Sequence, residues 1–235
     1  AQPEDVTNNT VRAERAHYFE VGSYHALNRY ATLQFTGWYK LSNFLSDAGQ
    51  FGTTPLLNYF AFERGWQRGI DGALKLQLTD NLTARGNVAW GQCKGYGLQS
   101  GHFLLEAKEI ADINSRGGVF CDHMQTLTSS AVVTYKFLER TTMTGQMLFA
   151  SGLRTAENEE AKTNSTHSPS YTIYNLSIAH VFPLPWDGQK FLLGFDIINL
   201  LDQKYYINQG EGSIGLGVAH AGMPRSFFFR GQWFF

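Results

Sequence analysis

Only two cysteines occur in 235 residues, and the formal net charge is -1. Two cysteines exclude a Cys-rich zinc site, and neither has a CxxC partner. With 19 Lys and Arg against 20 Asp and Glu there is no basic stripe, so no nucleic-acid partner is expected. Long hydrophobic runs are missing too. The chain is 43% hydrophobic, yet no stretch of about 18 apolar residues exists to form a transmembrane helix. A signal peptide is also absent. The start, Ala1-Gln2-Pro3-Glu4-Asp5, has neither a basic n-region nor an apolar h-region, which for an exported protein implies a mature chain or a fragment.

What is present is aromatic and alternating. Aromatics make up 14% of the chain, with 18 Phe and 11 Tyr. In the last ten residues one face of an extended strand carries Phe227, Phe229, Gly231, Trp233 and Phe235. The other carries Ser226, Phe228, Arg230, Gln232 and Phe234. The first face has no polar residue, and an apolar aromatic face opposite Arg and Gln suits a strand between lipid and a wet lumen.

The same period recurs throughout. Ala31, Leu33, Phe35, Tyr39 and Leu41 alternate with polar partners. So do Leu82, Ala84, Val88 and Trp90 against Thr83, Arg85 and Asn87, and Leu127, Ala131, Val133, Tyr135 and Phe137 against Thr126, Thr128, Ser130 and Thr134. This predicts nine strands at roughly 15–25, 29–44, 58–78, 82–97, 123–137, 141–153, 171–182, 189–202 and 224–235. Connections near 26–28, 79–81, 138–140 and 183–188 are short. Those near 45–57, 98–122, 154–170 and 203–223 are long, with a short helix expected at Leu104–Ile110. Strict alternation of short turns and long loops is the habit of a transmembrane barrel. If the C-terminus is periplasmic, the first and last strands run the same way. Single-chain bacterial barrels have even strand numbers and open edges are not viable in hydrocarbon, so residues 1–235 read as the C-terminal portion of a larger barrel.

Three stretches carry a family resemblance. Gly194–Tyr206, reading GFDIINLLDQKYY, resembles the NLFDxxY penultimate-strand motif of TonB-dependent outer-membrane receptors. Gly222-Met223-Pro224-Arg225 resembles their lead-in to the final strand, and Asp122–Leu127 a strand start of their later barrel. The aromatic set Phe227, Phe229, Trp233 and Phe235 resembles the C-terminal signal read by the barrel-assembly machinery. The resemblance implies an all-β, transmembrane antiparallel barrel of 22 strands plugged by an N-terminal domain, of which this chain holds about nine. It implies a Gram-negative outer membrane and uptake of a ferric siderophore or other metal chelate, energised through TonB by way of a plug this chain lacks. It implies no enzyme activity and no cofactor. The chain's partners would be outer-membrane lipid, the remaining strands and plug, the TonB complex, the assembly machinery and the chelate.

Candidate sites follow. Arg64, Trp66, Arg68, Arg116, Tyr205 and Tyr206, with Tyr59, fall near the long-loop ends. Arg offers forked donors to carboxylate oxygens and aromatics offer stacking faces, which suits anionic chelates with aromatic parts. The alternative is girdle aromatics and loop charges. Cys93 and Cys121 flank the 98–122 loop, and in an oxidising location they form a disulfide or remain two unrelated buried thiols. His102, His167 and His220 meet at the mouth or stay solvated. Gly210–Gly215 matches G-x-G-x-x-G, but no helix follows and a loop is the plainer reading. Glu157, Glu159 and Glu160 form a solvated acidic loop. Arg85, Asn87 and Gln232 face the lumen. Three other readings compete: a passive porin or small self-closing barrel, a membrane-embedded enzyme using the outward-facing His180, and a soluble ligand-binding barrel.

Overall fold

The structure, a computed structural model, describes residues 12–50, 57–100, 107–121, 124–155, 164–186, 188–208 and 219–235. Nine strands form one antiparallel meander: β1 (Arg15–Asn28), β2 (Ala31–Asn43), β3 (Leu57–Gln77), β4 (Leu82–Ser100), β5 (Leu127–Phe137), β6 (Thr141–Ala150), β7 (Tyr171–Pro183), β8 (Lys190–Ile198) and β9 (Ser226–Phe234). Each pairs with the next, and β1 and β9 end the sheet. Short segments Ser46–Gln50 and Val119–Phe120 add onto β3 and β4, and Arg154–Thr155/Thr166–His167 and Tyr206–Asn208/His220–Ala221 form two small ladders. No helix among the described residues is long and apolar enough to cross a membrane.

Register sorts the side chains. Directly paired residues point to the same face. The rows Leu33–Leu74–Gly86–Ala131–Met147–Tyr174 and Ile178–Phe195–Phe229 therefore share one apolar face. On the other, polar face, cross-strand partners satisfy one another. Asn87 accepts from the Ser130 hydroxyl, Thr134 and Thr144 hydroxyls lie 3.2 Å apart, and Asn175 Nδ2 donates to Gln146 Oε1 at 3.0 Å. Arg230 donates to both Asp196 oxygens at 2.6 and 3.0 Å, and the Ser177 hydroxyl donates to Asp196 at 2.5 Å. The apolar face leaves Phe19, Phe35, Ile70, Leu193, Phe229 and Trp233 exposed.

The polar face is covered at its long-loop end. Leu45, Phe60, Phe62, Leu98, Ile113 and Val119 pack there with Cys93 and Cys121, each under a tenth exposed. Paired glycines make the room: Gly65 opposes Gly95 and Gly69 opposes Gly91. A Cβ on Gly65 would run into Leu45, one on Gly69 would meet Trp38 at 2.5 Å, one on Gly91 Met124 at 2.5 Å, and one on Gly95 Phe62 at 2.6 Å. Cys93 and Cys121 are joined, Cα to Cα 5.4 Å, closing a 28-residue separation. In the chain-entropy model such a loop is worth about 3–4 kcal/mol.

Several boundaries move from their expected places: β1 runs on to Asn28, so the first turn lies at 29–30 and not at 26–28, β4 extends to Ser100, β5 begins at Leu127 and not at 123, and β6 stops at Ala150 and not at 153. Two further changes have a clear cause. The helix expected at 104–110 is α1 (Ala107–Ser115), and residues 104–106 lie outside the described set. Ile113 supplies its buried contact. Asn114 fixes its end, accepting from the Leu98 N–H at 2.7 Å and donating to the Leu98 carbonyl at 2.9 Å. Strand β8 stops at Ile198, not 202, because Asn199 turns with φ +54°. Asn199 is 1% exposed and clasps both ends of its loop. Its Nδ2 donates to the Gln203 and Met223 carbonyls at 2.9 and 3.0 Å, and its Oδ1 accepts the Gln203 N–H at 2.9 Å. Asp202 accepts the Arg225 N–H at 2.9 Å. The two stretches that resemble family motifs thus bind one another.

Replacing Asn199 strands a set of buried polar groups. In the intact protein, Asn199→Ala is expected to lower the midpoint of heat unfolding, costing about 2–3 kcal/mol. Asp202→Asn, at a half-exposed pair, is expected to cost under about 1 kcal/mol. The folded-to-unfolded band shift on semi-native gels measures both.

Candidate functional site

Toward the long loops, each face of the sheet carries a concavity. The first is on the polar face, where β4 to β7 present Asn87, Thr128, Ser130 and Tyr171, and Tyr205 and Ile207 close it from the following loop. It holds about 430 Å³. Tyr205 leans over Tyr171 with ring centroids 4.6 Å apart. Gly222 lets it lie there, since a Cβ at that position would enter the Tyr205 ring, and the Gly222 N–H donates to the Tyr205 carbonyl at 2.8 Å. The Tyr171 hydroxyl accepts from Gln125 Nε2 at 3.2 Å. The lining offers hydroxyls, an amide and two aromatic faces, and no charged side chain. It suits an organic ligand held by stacking and neutral hydrogen bonds.

The second is on the apolar face, at its long-loop end. It holds about 480 Å³ and is lined by His17, Leu41, Asn43, Arg64, Trp66 and Tyr96 among others. Trp66 Nε1 donates to the Tyr96 hydroxyl at 3.1 Å. Arg68 stacks over Trp66 at 4.7 Å and over Trp90 at 5.8 Å, and donates to Gln92 Oε1 at 2.7 Å.

The six residues singled out as ligand contacts therefore do not form one site. Arg64, Trp66 and Arg68 are together, but on the apolar face in register with Asn43, Leu41 and Tyr39 respectively. Arg116 closes an ion pair with Asp112 at 3.0 Å at the end of α1. Tyr205 lines the polar-face concavity, whereas Tyr206 pairs with Ala221 and is 48% exposed. Tyr59 falls in β3. Phe227, Phe229 and Trp233 line the apolar face of β9, Phe227 stacked on Phe195 at 6.1 Å, Phe229 tilted against it at 5.0 Å and Trp233 stacked on Trp186 at 5.9 Å, and Phe235 follows, fully exposed. Arg85 pairs with Val132 and Gln232 with Leu192, both on the polar face.

Sequence reasoning missed Tyr171, Thr128 and Ser130 as neighbours of Tyr205. Parity did place Thr128 and Ser130 on the polar face with Asn87, but only register aligns them. Tyr171 follows a long connection, which hides its partner. The remaining candidates have other surroundings. His180 Nδ1 lies 2.7 Å from the Thr141 hydroxyl, with its ring edge-on to Phe182. His220 pairs with Asn208. His102, Asp122, His123, residues 157–160 and Gly210–Gly215 lie outside the described residues. Among the described residues no three His, Cys, Asp or Glu gather to hold a metal.

His167 is 2.7 Å from the Thr126 hydroxyl, at the base of a long loop. Partial desolvation at the loop base, with the nearby Arg154 guanidinium, lowers its pKa below the ordinary 6.5, although the side chain keeps contact with solvent. The folded protein thus binds the proton more weakly than the unfolded chain, and acid opposes folding. Local stability of the Arg154–Thr155/Thr166–His167 ladder is expected to fall as pH drops below 6.5. Hydrogen exchange at the Ser168 amide, bonded to the Leu153 carbonyl at 2.9 Å, reads this, and His167→Gln is expected to abolish the pH dependence.

No protein-family model matches the chain, and no curated protein does. Solved structures do. The copper transporter OprC matches with TM-score 0.62 and 12% identity, over 95% of this chain and 32% of that one. The ferric citrate transporter FecA matches with TM-score 0.65 and 15% identity, over 94% and 31%. The ferripyoverdine receptor of the outer membrane of Pseudomonas aeruginosa, bound to ferripyoverdine, matches with TM-score 0.63 and 13% identity, over 98% and 28%. This chain spans less than a third of each. At such identities the likeness establishes fold alone: the nine-stranded antiparallel sheet of this chain is similar to part of each of these structures.

Proposed function

We propose that the chain is the C-terminal wall of a TonB-dependent outer-membrane receptor that imports a ferric siderophore or another metal chelate. The carrying observation is the two-faced sheet of nine strands, apolar and aromatic on one side and hydrogen-bonded on the other, that matches metal and metal-chelate transporters along nearly its whole length. The apolar face meets lipid. From Arg68 on β3 to Leu78, just past the end of that strand, the chain rises about 33 Å at the usual strand spacing. A tilt of about 40° reduces that to about 25 Å, the height of a barrel's apolar band.

The polar face meets the lumen, and the loops that pack over its outer end belong to the ligand vestibule. Among the described residues β1 and β9 are not paired with each other. Since an open edge is not viable in hydrocarbon, further strands complete the wall. The plug and its coupling to TonB belong to the rest of the protein. The chelate is met from the lumen side, through the hydroxyls, Asn87 amide and Tyr171–Tyr205 pair of the polar concavity. Phe227, Phe229, Trp233 and Phe235 present the assembly signal.

The intact mass of the native protein carrying this C-terminus tests the reading. Nine strands in 235 residues scale to roughly 570 residues for 22 strands, so a mass near about 75–85 kDa with a plug is expected. A mass of 26.4 kDa, with no second chain co-purifying, contradicts it and returns a small self-closing barrel. In the intact receptor, Tyr171→Ala with Tyr205→Ala is expected to weaken ferric-chelate binding about tenfold or more. Equilibrium binding of radiolabelled ferric citrate and ferric catecholate measures the change.

A further inference from the structure

Several charged groups on the polar face have partners that satisfy them. Glu14 meets the Lys40 ammonium at 2.7 Å, Asp71 accepts from Trp38 Nε1 at 2.8 Å, and Asp196 accepts from Arg230 Nε at 2.6 Å. One position breaks this habit. Lys75 on β3 and Arg85 on β4 stand directly opposite each other. Among the described residues no other direct pair between the nine strands joins two charged side chains. Side chains paired in this way have Cβ atoms about 5 Å apart, and like charges there repel. Both are exposed. Among the described residues neither has a carboxylate within ion-pair distance, a side-chain hydrogen bond or a ring beneath it. Their row, Thr32–Lys75–Arg85–Val132–Gln146–Asn175, holds no carboxylate. Asp71 lies four residues away on β3, about 13 Å along the strand, and already serves Trp38.

The neighbouring row supplies the reason for such a pair. Toward the long loops it carries Asn87 and Ser130, which line the polar concavity. The two rows are about 7 Å apart along the strands. The concavity offers stacking and neutral hydrogen bonds but no charged side chain, so an anion held there keeps its charge uncompensated. One row closer to the short turns, that anion meets a guanidinium and an ammonium side by side.

We propose that Lys75 and Arg85 form an anion site for the carboxylates of a polycarboxylate metal chelate, one step inward from the concavity. The inference rests on the transport reading above and names the ligand class that reading leaves open. The Arg85 fork takes one carboxylate with two parallel bonds, and the Lys75 ammonium takes a neighbouring carboxylate oxygen as a point charge. An anion between them replaces one repulsion with two attractions. A neutral chelate gains nothing from the pair, so the wall favours the anionic class.

The test acylates the lysines of the intact protein, extracted from outer membranes, with the N-hydroxysuccinimide ester of acetic acid. Peptide mass spectrometry gives the rate at Lys75 relative to Lys108, which is exposed on α1. Sodium chloride of matched ionic strength sets the baseline. Ferric citrate and free citrate, each at about 10 mM, are expected to slow Lys75 about tenfold, as a site of about millimolar affinity requires, and to leave Lys108 unchanged. Arg85→Gln is expected to cut the protection to under about twofold, with the band shift unchanged. No slowing at Lys75, equal slowing at Lys108, or undiminished protection in Arg85→Gln overturns the proposal. Protection by free citrate but not by ferric citrate overturns the chelate as occupant. Lys75 that is unreactive even in chloride overturns the site, because another part of the protein then holds the ammonium. If Arg85→Gln fails to fold, the wild-type rates decide. Absence of wild type from the outer-membrane fraction overturns the transport reading instead.

Discussion

A sheet facing hydrocarbon has no water to satisfy its backbone, so every interior peptide group must be paired with a neighbouring strand. On the proposed membrane reading, the rest of this molecule depends on that constraint. Continuous pairing forbids long bulges, so register runs almost unbroken from β1 to β9. Unbroken register keeps each row of side chains on one face across the whole sheet. A single slip would turn Phe195 and Phe229 inward and Asp196 and Arg230 outward. The polar ladder Asn87–Ser130, Gln146–Asn175 and Ser177–Asp196–Arg230 also pins register, because each pair is satisfied only at one alignment.

The strands were legible in the sequence for the same reason. A wall with lipid on one side and water on the other must alternate at period two, so Leu82–Trp90 and Leu127–Phe137 announce both strand and face. Boundaries were less legible where a side chain outside the alternation decides them. Asn199 ends β8 by a left-handed turn and a buried clasp, against an apolar run that continues through Leu201. The helix lay at 107–115 because Ile113 and Asn114 anchor it to β4, contacts that distant residues supply.

Sites were legible only in part. Arg64, Trp66 and Arg68 looked like a ligand cluster by type and position along the chain. They share a face, but it is the apolar one, and their parity with Ile70 and Leu74 was the signal that placed them there. The polar concavity needed Tyr205 and Tyr171 from opposite sides of two connections, which no spacing reveals. The opposed glycines were equally hidden. Gly65 and Gly69 look like weak strand residues until register sets them against Gly95 and Gly91, under Leu45, Phe62 and Trp38.

The clasp at the end of β8 separates two parts of the chain that would otherwise be coupled. Asn199 and Asp202 hold Met223 and Arg225 directly, so the lead-in to β9 is set by those contacts and not by the length of chain between Ile207 and Ala219. Residues can be gained or lost in that interval without shifting how the last strand docks. The interval and the seam thus answer to different contacts, and a change in one need not propagate to the other.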